Sequence, residues 1–113
     1  MLRTPIEADG GKATEVAYVG EWTPLGRTVT VEAEGVPRPL PIGEEARDGD
    51  YAWGRSGAGP REVARAILLD ATGNPMLAER LCRPLTWEVI ANLPAEGFRI
   101  TRGEIQDWVQ DQA

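Results

Sequence analysis

"YAWGRSGAGPREVARAILL", residues 51–69, is where the chain changes period. Tyr51 and Trp53 are aromatic, residues 51–53 read as a short strand, and a glycine-rich loop follows. Pro60 then opens a segment in which Val63, Ala66, Ile67 and Ala71 recur at helical spacing, with Ala64 and Leu68 widening the apolar stripe. Proline is favoured at the first helical position and glycine just past the last, so Pro60 and Gly73 bracket a helix over 60–74. Before this stretch the apolar residues repeat every two positions; after it they repeat at helical intervals.

The upstream half is β. Residues 14–22, "TEVAYVGEW", are β-branched and aromatic, and 23–26 carry turn chemistry. Residues 27–35 alternate, with Val29, Val31 and Ala33 on one face and Thr28, Thr30, Glu32 and Glu34 on the other. That is the pattern of a strand packed on one side and hydrated on the other. Residues 38–42 can pair only at a sheet edge, because Pro39 and Pro41 donate no N–H. Residues 1–13 lack periodicity and are expected to form a flexible leader, and 43–50 read as an acidic loop.

Downstream, residues 75–82 are expected to form a second helix and 84–94 a third, and 98–100 a last strand. Thr101 stands three residues before Glu104, the spacing of a capping box, and Ile100 and Ile105 bracket it as a hydrophobic staple. Strands followed by helices predict an α+β fold: a small antiparallel N-terminal meander with three to four helices packed on one face, in a single domain over 14–113. Four tryptophans are bulky apolar bodies for folding to hide, and Trp53, Ile67, Val89 and Trp108 are expected to share the core.

Composition removes several chemistries. The 113 residues contain no histidine, which excludes Ser-His, Cys-His and His-ligated metal sites. The net charge of −6 opposes non-specific DNA binding, and direct nucleic-acid contact is not expected. Residues 2–12 do not have the pattern of a signal peptide, and no apolar run is long enough to span a bilayer. Cys82 is the only cysteine, so no internal disulfide forms; a cytoplasmic location is the expectation. Its neighbours Arg80 and Arg83 favour a thiolate, but without a histidine base Cys82 reads as a core or boundary thiol. Eleven of the twelve basic residues are arginine, the side chain suited to planar, bidentate contacts.

The loop admits three readings: an anion cradle, a steric corner and a partner-binding loop. As an anion cradle, Gly57 and Gly59 bring backbone N–H groups to a helix N-terminus, Ser56 adds a hydroxyl, and Arg55 and Arg61 flank the ligand. As a corner, Gly54, Gly57 and Gly59 let the chain cross closely over Trp53. Both named phosphate loops fail: Pro60 and Arg61 stand where a Walker loop needs Lys and Ser or Thr, and Glu62 stands at the third glycine of the dinucleotide pattern. The corner is the simplest reading.

The stretch "WGRSGAGPREVARAIL" resembles the signature of a family of small uncharacterised prokaryotic and phage domains, an aromatic W-G-x-G-G-S-G-P loop followed by an Ala/Leu-rich helix. The similarity continues upstream through "YVGEW" and "VTVEAEGVPRPLP" and downstream through "LTWEVIANLP" and "ITRGEIQDWV", over residues 16–110. Ser56 replaces the first of the paired glycines and Ala58 the serine. The resemblance implies a single fold and a phage or mobile-element setting, and it carries no activity.

Glu44, Glu45, Asp48 and Asp50 offer oxygen ligands, but the spacing is not that of a calcium loop, and a solvated loop is the simpler reading. An acidic nucleic-acid mimic needs segregated carboxylates, whereas arginines are interspersed along this chain. By elimination, the expectation is a non-enzymatic interaction domain without a cofactor that binds a protein partner, such as an accessory or anti-defence protein inhibiting host machinery. The alternative is a small-ligand or nucleotide/phosphate-binding domain built on residues 54–61.

Overall fold

A computed structural model describes residues 15–24, 26–42, 51–55 and 57–112. Among the described residues the fold is α+β: a four-stranded antiparallel sheet and three α-helices. The strands are β1 (Val16–Thr23), β2 (Gly26–Ala33), β3 (Val36–Pro39) and β4 (Gly97–Thr101), in the order β3-β2-β1-β4. The helices are α1 (Ala58–Thr72), α2 (Pro75–Glu88) and α3 (Arg102–Asp111). The anticipated leader and acidic loop fall outside the described residues.

The alternation in 27–35 sets the faces. Tyr18 lies opposite Val31 and Ile100, and Gly20 opposite Val29 and Phe98, so these six share one face of the sheet. Tyr18, Val29 and Val31 are fully buried in one cluster with Val63, Ile67 and Leu68 of α1 and Leu85 of α2. Phe98 lies directly over Gly20, where any Cβ would collide with its ring. It meets the Trp53 indole edge-on, with centroids 5.1 Å apart. Trp53 and Ile67 are buried as expected, while Val89 and Trp108 are only partly buried against the cluster.

β3 ends at Pro39 rather than running to residue 42, and all four of its residues are exposed. The Leu40 N–H donates to Val29 O at 3.0 Å, so by the two-residue alternation Pro37 and Pro39 fall at the positions facing away from β2. At those positions the outer edge has no N–H to offer another strand, which blunts it against sheet extension.

Three local expectations need correction. Residues 51–53 form no strand; their polar groups are met by side chains and the loop instead. Trp53 O accepts from Arg27, Tyr51 OH donates to Leu40 O, and Gly54 N–H donates to Ile90 O. The second and third helices are one: α2 runs through Pro84 to Glu88, and only a 3₁₀ turn, Ile90–Asn92, follows. An interior proline frees the carbonyl four residues earlier. Here that residue is Arg80, which is exposed, so water can satisfy the carbonyl. Finally, Trp22 and Trp87 are 57% and 63% exposed and are not core residues.

The C-terminal start signal is present as read. Thr101 Oγ1 accepts the Glu104 N–H at 3.1 Å, and Glu104 Oε1 accepts the Thr101 N–H at 2.8 Å. Ile105 is fully buried behind this box.

Candidate functional site

The glycine loop has the geometry of a corner. Gly54 sits at φ +82°, and a Cβ there would stand 3.4 Å from Leu93 O. Gly57 caps α1 at φ +126°. Gly59 is not at positive φ, but a Cβ would press on that of Ala52 at 3.2 Å. Trp53 is pinned beneath by its indole N–H, which donates to Pro94 O at 2.9 Å. Among the described residues no side chain caps α1; Pro60 brings no N–H, and the Arg61 N–H already bonds Gly57 O at 3.0 Å. That leaves the N–H groups of Ala58 and Gly59 at the helix end. Ser56 lies outside the described residues.

The two arginines proposed to clasp one anion point to different places. Arg55 lines a cleft of about 270 Å³ with Trp22, Arg27 and Tyr51. Arg61 lines a separate groove between α1 and α2. In the first cleft Arg27 is already committed: its guanidinium carbon lies 4.8 Å from the Trp22 ring centre and 4.9 Å from that of Trp53, and it donates to Trp53 O at 3.1 Å. Trp22 donates its indole N–H to Ala95 O at 3.0 Å. This sandwich ties the end of the sheet to the segment before β4, by cation–π attraction and hydrogen bonds.

The second groove, about 560 Å³, holds Arg61 and Arg65 from α1 and Arg80 and Arg83 from α2, against Glu62 and Glu79. Arg65 is neutralised: it pairs with Glu62 one turn before it and with Glu79 across the hairpin at 3.7 Å. Among the described residues Arg61, Arg80 and Arg83 make no ion pair, so the groove is locally positive on a chain of net charge −6. Cys82 also borders it. Burial, and then Glu79, pushes the Cys82 thiol above its usual range, and its Sγ–H donates to Glu79 O. It therefore stays protonated and is a poor nucleophile. The groove had a sequence signal: Arg61 and Arg65 are four apart and Arg80 and Arg83 three apart, each pair on one helix face. Their convergence depends on how the two helices pack.

A third polar cluster ties sheet to helices. The Asp70 carboxylate of α1 accepts Tyr18 OH at 2.7 Å, Arg38 at 3.0 Å and Arg102 at 3.1 Å. Burial alone would raise the Asp70 carboxyl, but these three bonds overcome it and hold it below the usual carboxylate range. Burial, reinforced by the Asp70 bond, pushes the Tyr18 hydroxyl well above the tyrosine range. Arg102 Nε is buried without a partner among the described residues. With every Asp70 bond used internally, this cluster serves the fold.

Among the described residues no group of three or more His, Cys, Asp or Glu side chains is placed to hold a metal ion, and no helix is long and apolar enough to cross a membrane. The acidic stretch 43–50 lies outside the described residues. A family model, that of a family of unknown function (DUF6166), matches residues 18–111. The chain belongs to DUF6166. That match spans the whole sheet except the first residues of β1, all three helices and both clefts of this DUF6166 protein. No curated protein and no solved structure matches it.

Proposed function

We propose that this DUF6166 chain is a non-enzymatic interaction domain that engages an anionic partner through the groove of Arg61, Arg80 and Arg83. One observation carries the reading. In a chain with 18 acidic residues, three arginines line one groove without an ion pair among the described residues. Cations left unpaired beside one another repel, and an anionic ligand relieves that repulsion while steering encounter from a distance. Arg65, fixed by Glu62 and Glu79, stiffens the wall of the groove. Burial and its bond to Glu79 O leave Cys82 without the activation a nucleophile in this groove would need.

In the phage or mobile-element setting that the loop resemblance implies, such a domain acts as an accessory or anti-defence protein by occupying an acidic surface of host machinery. The alternative small-ligand site at Arg55 has a cleft beside it, but Arg27 there is already held by two rings and a carbonyl.

The test is fluorescence anisotropy with labelled oligo-glutamate, between about 50 and 200 mM salt. Binding that weakens with salt, and weakens about tenfold or more in an Arg80→Ala, Arg83→Ala variant, is expected. That variant should keep its stability within about 0.5 kcal/mol, because neither side chain pairs with a described residue. Binding unchanged in the variant, but lost with Arg55→Ala, would move the site to the cleft by the glycine corner.

A further inference from the structure

We infer that the partner is an acidic helical protein segment carrying one apolar anchor, laid along the outer surface of the α1–α2 hairpin. This rests on the reading of the arginine groove as an anion site and adds what lies beside it.

The two helices place matching stripes side by side. On α1, Arg61, Arg65 and Leu69 follow at intervals of four; on α2, Met76, Arg80 and Arg83 follow at four and three. Each set shares one helix face. The Arg65–Glu79 ion pair crosses the hairpin, and Arg61 and Arg83 line the same groove, so counting back from Arg65 and Glu79 toward the turn sets Leu69 opposite Pro75. From the hairpin turn outward the surface is therefore apolar first, at Leu69 and Met76, and cationic next, at Arg61, Arg80 and Arg83, with the exposed Trp87 following one turn beyond Arg83.

The apolar end is exposed and lies at the capped turn between the two helices. Met76 is 82% and Leu69 44% exposed. Gly73 closes α1 in the left-handed conformation, and Asn74 caps α2 by accepting the Leu77 N–H at 3.1 Å, which anchors the first turn. The two ends are continuous, since Glu79 and Arg80 border both the groove and the concave surface around Pro75, Met76 and Leu77. Methionine adapts its shape to an incoming apolar side chain.

From Met76 to Arg83 is seven residues, about 10 Å along a helix. An α-helix in the partner with one apolar residue and carboxylates one and two turns further on repeats that spacing in opposite charge. A nucleic acid fits less well: its evenly spaced phosphates have no use for the apolar end, and the net charge of −6 repels a polyanion at longer range.

The experiment uses the full chain and four labelled probes in anisotropy titrations. One is an alanine-based helical peptide of about 15 residues with a single Leu and, one and two turns on, two Glu. The others are the same peptide with Leu replaced by Ser, oligo-glutamate, and an oligo-dT of about 15 nucleotides. The Leu peptide is expected to bind about tenfold or more tighter than its Ser version, the scale of one buried apolar side chain. Met76→Ser with Leu69→Ser should erase that difference while leaving oligo-glutamate affinity intact, and circular dichroism checks that the exposed substitutions leave the fold unchanged. Equal affinity for the two peptides, or tighter binding of oligo-dT, overturns the inference but leaves an anion site standing. No binding by any probe overturns the groove reading itself.

Discussion

Replacing Asp70 by asparagine keeps the size of the side chain and removes the charge on which three elements converge. The cost follows from what each partner loses. Arg38 is half exposed, so water replaces its bond and its share is about 0–1 kcal/mol. Tyr18 is fully buried, and its hydroxyl gives up a bond to a charged acceptor, a class worth about 1.5–3 kcal/mol. Arg102 is 35% exposed at its side chain and already has one unpartnered buried nitrogen, so part of the larger penalty for a stranded charge applies. Tyr18 and Arg102 share Asp70 Oδ2, so their losses overlap, and a total of about 2–4 kcal/mol is expected. Urea unfolding at neutral pH measures it. The pH dependence supplies an independent check. The folded-state pKa of Asp70 is depressed, so its contribution is present above the unfolded carboxylate value, near 4, and disappears as pH falls through the folded value. The gap between parent and variant should therefore narrow in acid. The raised Tyr18 pKa has the opposite sign: its contribution is present below about 10 and lost as pH rises through the folded value. A cost under about 1 kcal/mol at neutral pH, or a gap that does not narrow in acid, would refute the argument that Asp70 holds the sheet to the helices.

Gly20→Ala drives a methyl into the Phe98 ring and should cost about 1–3 kcal/mol by urea melting, a penalty expected to vanish when Phe98 is first cut to alanine. Trp53→Ala should cost about 3–5 kcal/mol, whereas Trp22→Ala, which removes an exposed ring, one cation–π contact and the indole bond to Ala95 O, should cost about 1–2 kcal/mol; similar values would mean that the two rings are equally buried. Gly54→Ala places a side chain at positive φ and should destabilise by about 1–2 kcal/mol with no ligand present, and a neutral result in the same melt would end the corner reading of the loop.

Short-range physics made much of the fold legible in the residues alone. The alternation of Val29, Val31 and Ala33 set a strand face, because successive side chains on a strand point to opposite sides. Thr101 and Glu104 announced the last helix, because a capping box is closed by atoms only three residues apart. Gly54 and Gly57 marked the corner, because backbone at positive φ strongly favours glycine. Tertiary structure decided the rest. Pro84 looked like a break, but the carbonyl it frees belongs to exposed Arg80, a fact that depends on which side of α2 meets the core. Tyr51 to Trp53 looked like a strand, but their polar groups find partners far along the chain, at Arg27 and Leu40. Arg55 and Arg61 looked like one clasp because they are six residues apart, yet the corner between them sends each to a different cleft. Arg61, Arg80 and Arg83 became one groove only through the packing of α1 against α2, since charge acts through space and not along the sequence.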